Sequence, residues 1–370
     1  MKLTCLISDV KAGIALIHGS IAPEKSGPPN VLLRAGEAGL ELAATDYLTH
    51  VEVPVSAKVR ADGGALVLLD TLRRWIEGMP EGPLEMEVKG YNLHLTTADT
   101  QARIAGIPPD DFHPMVKDED VRGPLHMEGM DLVRAITGVA YATARESDKP
   151  ATMCVHLVPC ADGGRLWLEA LNGFQLARAW LPAQGEWCPS ATIPISTLTR
   201  VARVLESGDT SIEVGPRSVL LRQKGVALRL RQSDATMPDI DKVLERSGVL
   251  EGWSTRATVD SKPLVAGLET VATLADEHRI AKGTRTVVLT IGGNAITISA
   301  AGQAGDARLA LAAETVGPER KLKVSANMLA EGVRASGGER IILELPPTNR
   351  LMVLRVPDLD TWSGVQMLME

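Results

Sequence analysis

Residues 66–97 read LVLLDTLRRWIEGMPEGPLEMEVKGYNLHLTT, and this stretch decides the fold. Leu68, Leu72, Trp75, Ile76 and Met79 fall on one face of a helix, with Asp70, Arg73, Arg74 and Glu77 opposite. Gly78 and Pro80 stop that helix. Leu84, Met86 and Val88 then alternate with Glu85 and Glu87, Lys89-Gly90 turns the chain, and Tyr91, Leu93 and Leu95 resume the alternation. The stretch is a helix, a glycine stop and a β-hairpin.

The same order returns twice. From Ile193 to Gln223, Leu198, Val201, Ala202 and Leu205 form the stripe, Gly208 closes the helix, and strands flank a Gly215-Pro216 turn. From Val324 to Val356, Leu329 and Val333 share a face, Gly337-Gly338 is the stop, and strands flank Pro346 to Asn349. The glycine stops at 78, 208 and 338 are 130 residues apart, so the duplicated unit is domain-sized rather than a solenoid repeat. Upstream of each unit lies another amphipathic helix: Val10, Ile14, Ile17; Leu132, Ile136, Val139; Leu264, Leu268, Val271. A strand pair follows each, at Leu40 to Val55, Leu166 to Leu181 and Val287 to Ala312. The expectation is an α+β architecture of three similar domains, 1–122, 123–248 and 249–370, each an antiparallel sheet backed by a helix pair. The boundaries fall near Arg122-Gly123-Pro124 and Ser247-Gly248.

Bulk properties agree. A chain of 370 residues exceeds one ordinary core. With aromatics at 3%, that core must be built from Leu, Val, Ile and Ala. No apolar run approaches the roughly 20 residues that span a bilayer, and Asp9 and Lys11 interrupt the N-terminus too soon for a signal peptide, so a cytoplasmic protein with no membrane partner is expected. Cys5, Cys154, Cys160 and Cys188 show neither a CxxC pair nor zinc spacing and read as buried thiols. The net charge of −7 excludes a surface basic everywhere, yet leaves room for a local basic patch.

Four segments now carry a resemblance. Leu42-Ala43-Ala44-Thr45-Asp46 is similar to the "TGTD" strand of the bacterial DNA polymerase III beta subunit, the beta sliding clamp family. Ile107-Pro108-Pro109-Asp110-Asp111-Phe112-His113-Pro114 resembles the segment closing that family's first domain. Leu168 to Ala177, LEALNGFQLA, stands where the family has "ATDGHRLA", and Met237 to Leu244, MPDIDKVL, where it has "FPDYRRVLP". The similarity runs through the whole chain in order.

The resemblance implies the DNA clamp fold and a ring-shaped homodimer of six domains whose helices line a central hole. It implies sequence-independent binding of double-stranded DNA and docking of DNA polymerase, clamp loader and other clamp-binding-motif proteins. Phosphate attraction needs only a weakly positive lining. Arg73, Arg74, Arg134, Arg145, Lys149, Arg200, Arg203 and Arg334 lie on or at the ends of the predicted helices, off the apolar stripes, and Lys25 lies near a family DNA-contacting loop. Arg145, Lys149 and Arg203 also match family channel positions. Carried over residue by residue, the partner-peptide cleft takes Ala151, Leu171, Gly173, Phe174, Gln175, Leu176, Pro238, Lys242, Val243, Ser325, Met328, Met352, Val365, Gln366, Met367, Leu368 and Met369. Ile104 and Leu274 match family dimer-interface positions.

The departures from the family pattern are as informative. "TDGHR" is here Leu171-Asn172-Gly173-Phe174-Gln175, which loses an acid, an imidazole and a guanidinium, and "VMPMRL" is Val365-Gln366-Met367-Leu368-Met369-Glu370. They point to a divergent or secondary clamp whose cleft favours more hydrophobic peptides. A rival within this frame is a paralogue whose altered cleft escapes a clamp-directed inhibitor.

Catalytic chemistry finds no footing. Asp276-Glu277-His278 lacks a second ligand pair at metal spacing. Gly292-Gly293-Asn294 and the Asp-Gly-Gly segments at 62–64 and 162–164 are hairpin turns without the lysine of a phosphate loop. Neither G-x-S-x-G nor HExxH occurs. The expectation is no enzyme, no metal and no cofactor.

Overall fold

The computed structural model describes every residue except 23–28, 161–163, 248, 250–251, 277–283, 304, 348–349 and 370. Lys25, Glu277, His278, Gly248 and part of the Asp-Gly-Gly and Pro346–Asn349 turns therefore lie outside the described residues. Seven α-helices occur among the described residues: α1 (Ile7–Ser20), α2 (Leu69–Glu77), α3 (Gly129–Ala140), α4 (Ile195–Val201), α5 (Ile240–Ser247), α6 (Ser261–Ala272) and α7 (Ala326–Ala335). None is long and apolar enough to cross a membrane. The chain forms two compact units, residues 1–133 with 183–233 (unit 1) and residues 134–182 with 234–370 (unit 2).

Unit 1 contains a five-stranded sheet in the order Ala57–Ala61, Lys2–Leu6, Pro83–Lys89, Asn92–Thr96, Gln101–Ile104. Its larger sheet runs Gly106–Ile107, Gly63–Leu68, Asn30–Gly36, Gly39–Thr45, Thr49–Val55, Val226–Arg231, Ser218–Gln223, Asp209–Val214, Arg122–Glu128, Gln184–Gly185. α1 packs on α2 and against the large sheet. The quoted stretch folds as helix and hairpin, with one correction. Leu68 ends a strand and is exposed, and the helix begins at Leu69, so Leu69, Leu72 and Ile76 form its buried stripe.

Unit 2 repeats the plan. One sheet includes, in order, Cys154–Pro159, Arg165–Leu171, Gln175–Pro182, Leu359–Met367, Leu351–Val356, Arg340–Leu345, Thr255–Asp260 and Glu314–Val316. A second runs Gly305–Ala312, Ala295–Gly302, Thr286–Gly292, Arg320–Ser325. The stretch from Val287 to Ala312 thus holds three strands, not the expected pair, because the chain turns twice, at Gly293-Asn294 and after Gly302. α6 packs on α7. Inside the unit, Trp362 Nε1 donates to Gly138 O at 2.8 Å, and a Cβ on Gly138 would lie 3.0 Å from the indole. Among the described residues the strand pairings of both units are antiparallel, and the fold class is the expected α+β.

Candidate functional site

Unit 2 carries an apolar cleft of about 600 Å³, within the range of sites that enclose small ligands or peptide side chains. Its first wall is a turn. Asn172 Oδ1 accepts the N–H of Phe174 (3.0 Å) and of Gln175 (2.8 Å), and Gly173 takes φ +89°, a conformation that costs glycine nothing. The turn holds Phe174 outward, 45% exposed, while its carbonyl accepts the N–H of Met367 at 2.8 Å. Gln175 points inward, and its Nε2 donates to Met328 O at 2.9 Å.

The second wall is α5. Asp239 precedes it and caps it: Oδ1 accepts the N–H of Lys242 at 3.2 Å. The Lys242 ammonium, 2.9 Å from Oδ2, holds the Asp239 carboxyl below the usual carboxylate range. Arg178 seats the helix on the sheet, lying 2.7 Å from Glu169 and 2.8 Å from Asp241, with its guanidinium 4.2 Å over Trp167. Helical spacing then brings Val243, Leu244 and Ser247 to the cleft, while Ile240 packs into its floor with Leu176, Leu351 and Val365.

Of the seventeen cleft positions expected from the sequence, the structure gathers Leu171, Gly173, Phe174, Gln175, Leu176, Val243, Val365 and Met367 around this space. Ser325, Met352 and Gln366 are buried behind it. Ser325 Oγ caps α7 at Met328 N–H, and Gln366 Nε2 donates to Ser325 O. Met328, Leu368, Met369 and Ala151 are half-buried, and Pro238 and Lys242 are exposed; none of them lines the cavity. Sequence reasoning missed Leu244, Glu245, Arg246, Ser247, Arg350 and Leu351. The Pro238-Asp239 start followed by Ile240, Val243, Leu244 and Ser247 was the available signal, an N-cap ahead of an i, i+3, i+4, i+7 stripe.

The cationic positions are dispersed and differ in availability. Arg203 is exposed just past α4. Arg145 and Lys149 are exposed but lie beyond the end of α3 at Ala140, in the loop leading to the turn at Pro150–Met153, rather than at a helix end; Thr143 and Ala142 have already closed the helix with local turns. Arg134 is exposed on α3. Arg73 pairs with Asp70 and Glu77, Arg74 with Asp70, and Arg334 with Glu269. Arg200 is half-buried, 3.6 Å from the Asp46 carboxylate. Ile104 is 6% exposed within its own sheet, and Leu274 is half-buried just after α6. No group of three metal-ligating side chains occurs among the described residues.

No family model matches the chain. The beta sliding clamp of Synechocystis sp. is 24% identical over 382 residues, covering 95% of each chain. The beta sliding clamp homolog GriR of Streptomyces muensis is 23% identical over 274 residues, covering 72% of this chain and 71% of its own. The crystal structure of a sliding clamp (DNA polymerase III subunit beta) from Pseudomonas aeruginosa bound to griselimycin superposes with a TM-score of 0.89 at 20% identity, over 100% of this chain and 99% of that one. The chain has the DNA clamp fold and is similar in sequence, over nearly its whole length, to a bacterial beta sliding clamp.

Proposed function

We propose that the protein is a DNA sliding clamp, a processivity factor that encircles duplex DNA and tethers polymerase and other partners through the unit 2 cleft, without catalysing a reaction itself. The observation that carries the reading is the end-to-end match of fold and sequence order to sliding clamps. The finer parts belong to the same proposal: clamp domains at 1–122, 123–248 and 249–370, a cytoplasmic location, and a homodimeric ring. Two sheet edges support the ring. Gln101–Ile104 and Gly305–Ala312 each end their sheet among the described residues, and an edge of one copy added to the other edge of a second copy closes head to tail. Arg203, Arg145 and Lys149, exposed in a protein of net charge −7, are the first choices for phosphate contacts. Primer extension on a long single-stranded template by the host polymerase tests the reading: added protein should lengthen the products of a single binding event. Unchanged product length would contradict it.

A second reading, a paralogue that escapes a clamp-directed inhibitor, is favoured by Phe174 and Gln175 standing where the family resemblance has histidine and arginine. Titration with griselimycin separates the two. Tight binding removes the escape reading, and absence of binding by a protein that still takes partner peptides supports it.

A further inference from the structure

The cleft has a counterpart in unit 1, where a carboxylate of the chain fills the place beside the equivalent arginine. Asp46 Oδ1 accepts the N–H of Leu48 (3.0 Å) and Thr49 (2.6 Å), as Asn172 Oδ1 accepts those of Phe174 and Gln175. Arg231 N–H donates to Leu48 O at 2.8 Å, as Met367 N–H donates to Phe174 O at 2.8 Å. One residue on, Gln232 N–H donates to Arg217 O and Leu368 N–H to Arg350 O, both at 2.9 Å. Arg217 and Arg350 therefore hold equivalent positions, each just ahead of a strand, Ser218–Gln223 and Leu351–Val356.

In unit 1 that arginine is occupied. Asp118 places Oδ1 3.1 Å from Arg217 Nε and accepts from Ser218 Oγ at 2.7 Å. Earlier in the same segment, Phe112 packs on Leu32, Ala43 and Leu66 and meets the His50 ring at a 43° tilt, with centroids 5.9 Å apart. The segment offers the junction one apolar side chain and one carboxylate, and only about 100 Å³ stays open beside Phe112, between Thr45, Tyr47 and His113. In unit 2 the junction is the open cleft. Arg350 is exposed on its wall and has no ion pair among the described residues.

We infer that the cleft selects peptides bearing an acidic side chain beside their apolar anchors, and that Arg350 receives that carboxylate as Arg217 receives Asp118. The inference rests on the peptide-docking reading of the cleft. Arginine suits the task because its planar fork pairs with a carboxylate through two parallel N–H donors. Leu351 stands where Ser218 adds a hydroxyl in unit 1, so the carboxylate gains one partner rather than two and stays near solvent. The selectivity is accordingly modest and sensitive to salt.

Fluorescence anisotropy tests this with labelled, C-terminally amidated decapeptides sharing a Leu-Leu-Phe core and carrying a single Glu, Gln or Lys at successive flanking positions. At one flanking position or more, the Glu peptide should bind about fivefold tighter than the Gln peptide, with Lys weakest. The gap should close in about 0.5 M salt and in Arg350→Gln, whose melting temperature should be unchanged, and should survive in Arg246→Gln. Equal binding of Glu and Gln peptides at every position, or a preference erased by Arg246→Gln and kept by Arg350→Gln, overturns the inference while leaving the cleft reading intact. Failure of every peptide to bind overturns both.

Discussion

Asp118 shows how much one side chain carries in this fold. Its carboxylate is 2% exposed and is held by Ser218 and by both the backbone and the side chain of Arg217. Burial by itself pushes the carboxyl up, but the hydrogen bonds from Ser218 and Arg217 outweigh it and bring it below its ordinary value of 3.8. A carboxyl lowered on folding stabilises above its unfolded pKa, and that contribution is lost as pH falls through the folded one. Asp118→Asn should therefore cost about 1.5–3 kcal/mol at neutral pH, and the gap to wild type should narrow only below about pH 4 in urea melts. A gap constant down to pH 3 would refute the account. Burial raises the thiols of Cys5 and Cys188, to about 12 and about 11, and at Cys5 the Asp9 carboxylate adds to it. Native alkylation near pH 8 followed by mass spectrometry should label the half-buried Cys160 first and leave those two untouched.

At the scale of elements, α5 and the Asn172 turn make the cleft. The two ion pairs of Arg178 are unequal. Asp241 is largely exposed, so Asp241→Asn should change stability by less than about 1 kcal/mol. Glu169 is buried, so Arg178→Ala leaves a charge without its partner and should cost about 3 kcal/mol, with loss of peptide binding as α5 loosens. Gly173→Ala meets no atom within 4 Å, yet places a Cβ at φ +89°; it should cost about 1 kcal/mol and weaken peptide binding by displacing Phe174. The helix–hairpin repeat was legible because Leu72, Ile76, Leu84 and Met86 obey helix and strand periods, and those periods are local. α5 was less legible: its eight residues include Asp241, Lys242, Glu245 and Arg246, so its stripe is short. Arg350 left no local signal, because its place in the cleft is set by a backbone hydrogen bond from Leu368, 18 residues away. Pattern reasoning sees neighbours at 2, 3 and 4 residues, not pairings made by topology.

For the whole molecule, the function proposed depends on assembly. If Gln101–Ile104 of one copy adds to Gly305–Ala312 of another, sedimentation at micromolar concentration should give a dimer. Leu274→Glu should then give monomers with unchanged circular dichroism, because an unpaired charge in such an interface is costly. The ring itself is tested by topology. Protein placed on a closed circular plasmid by the host clamp loader should survive gel filtration with the DNA, and should be lost within minutes once one restriction enzyme linearises the circle. Arg145→Glu with Arg203→Glu should weaken direct DNA contact and flatten its salt dependence without changing this contrast. Retention on the circle and release from the linear form is the predicted result; equal retention on both, or equal loss from both, would contradict a clamp that holds DNA by encircling it.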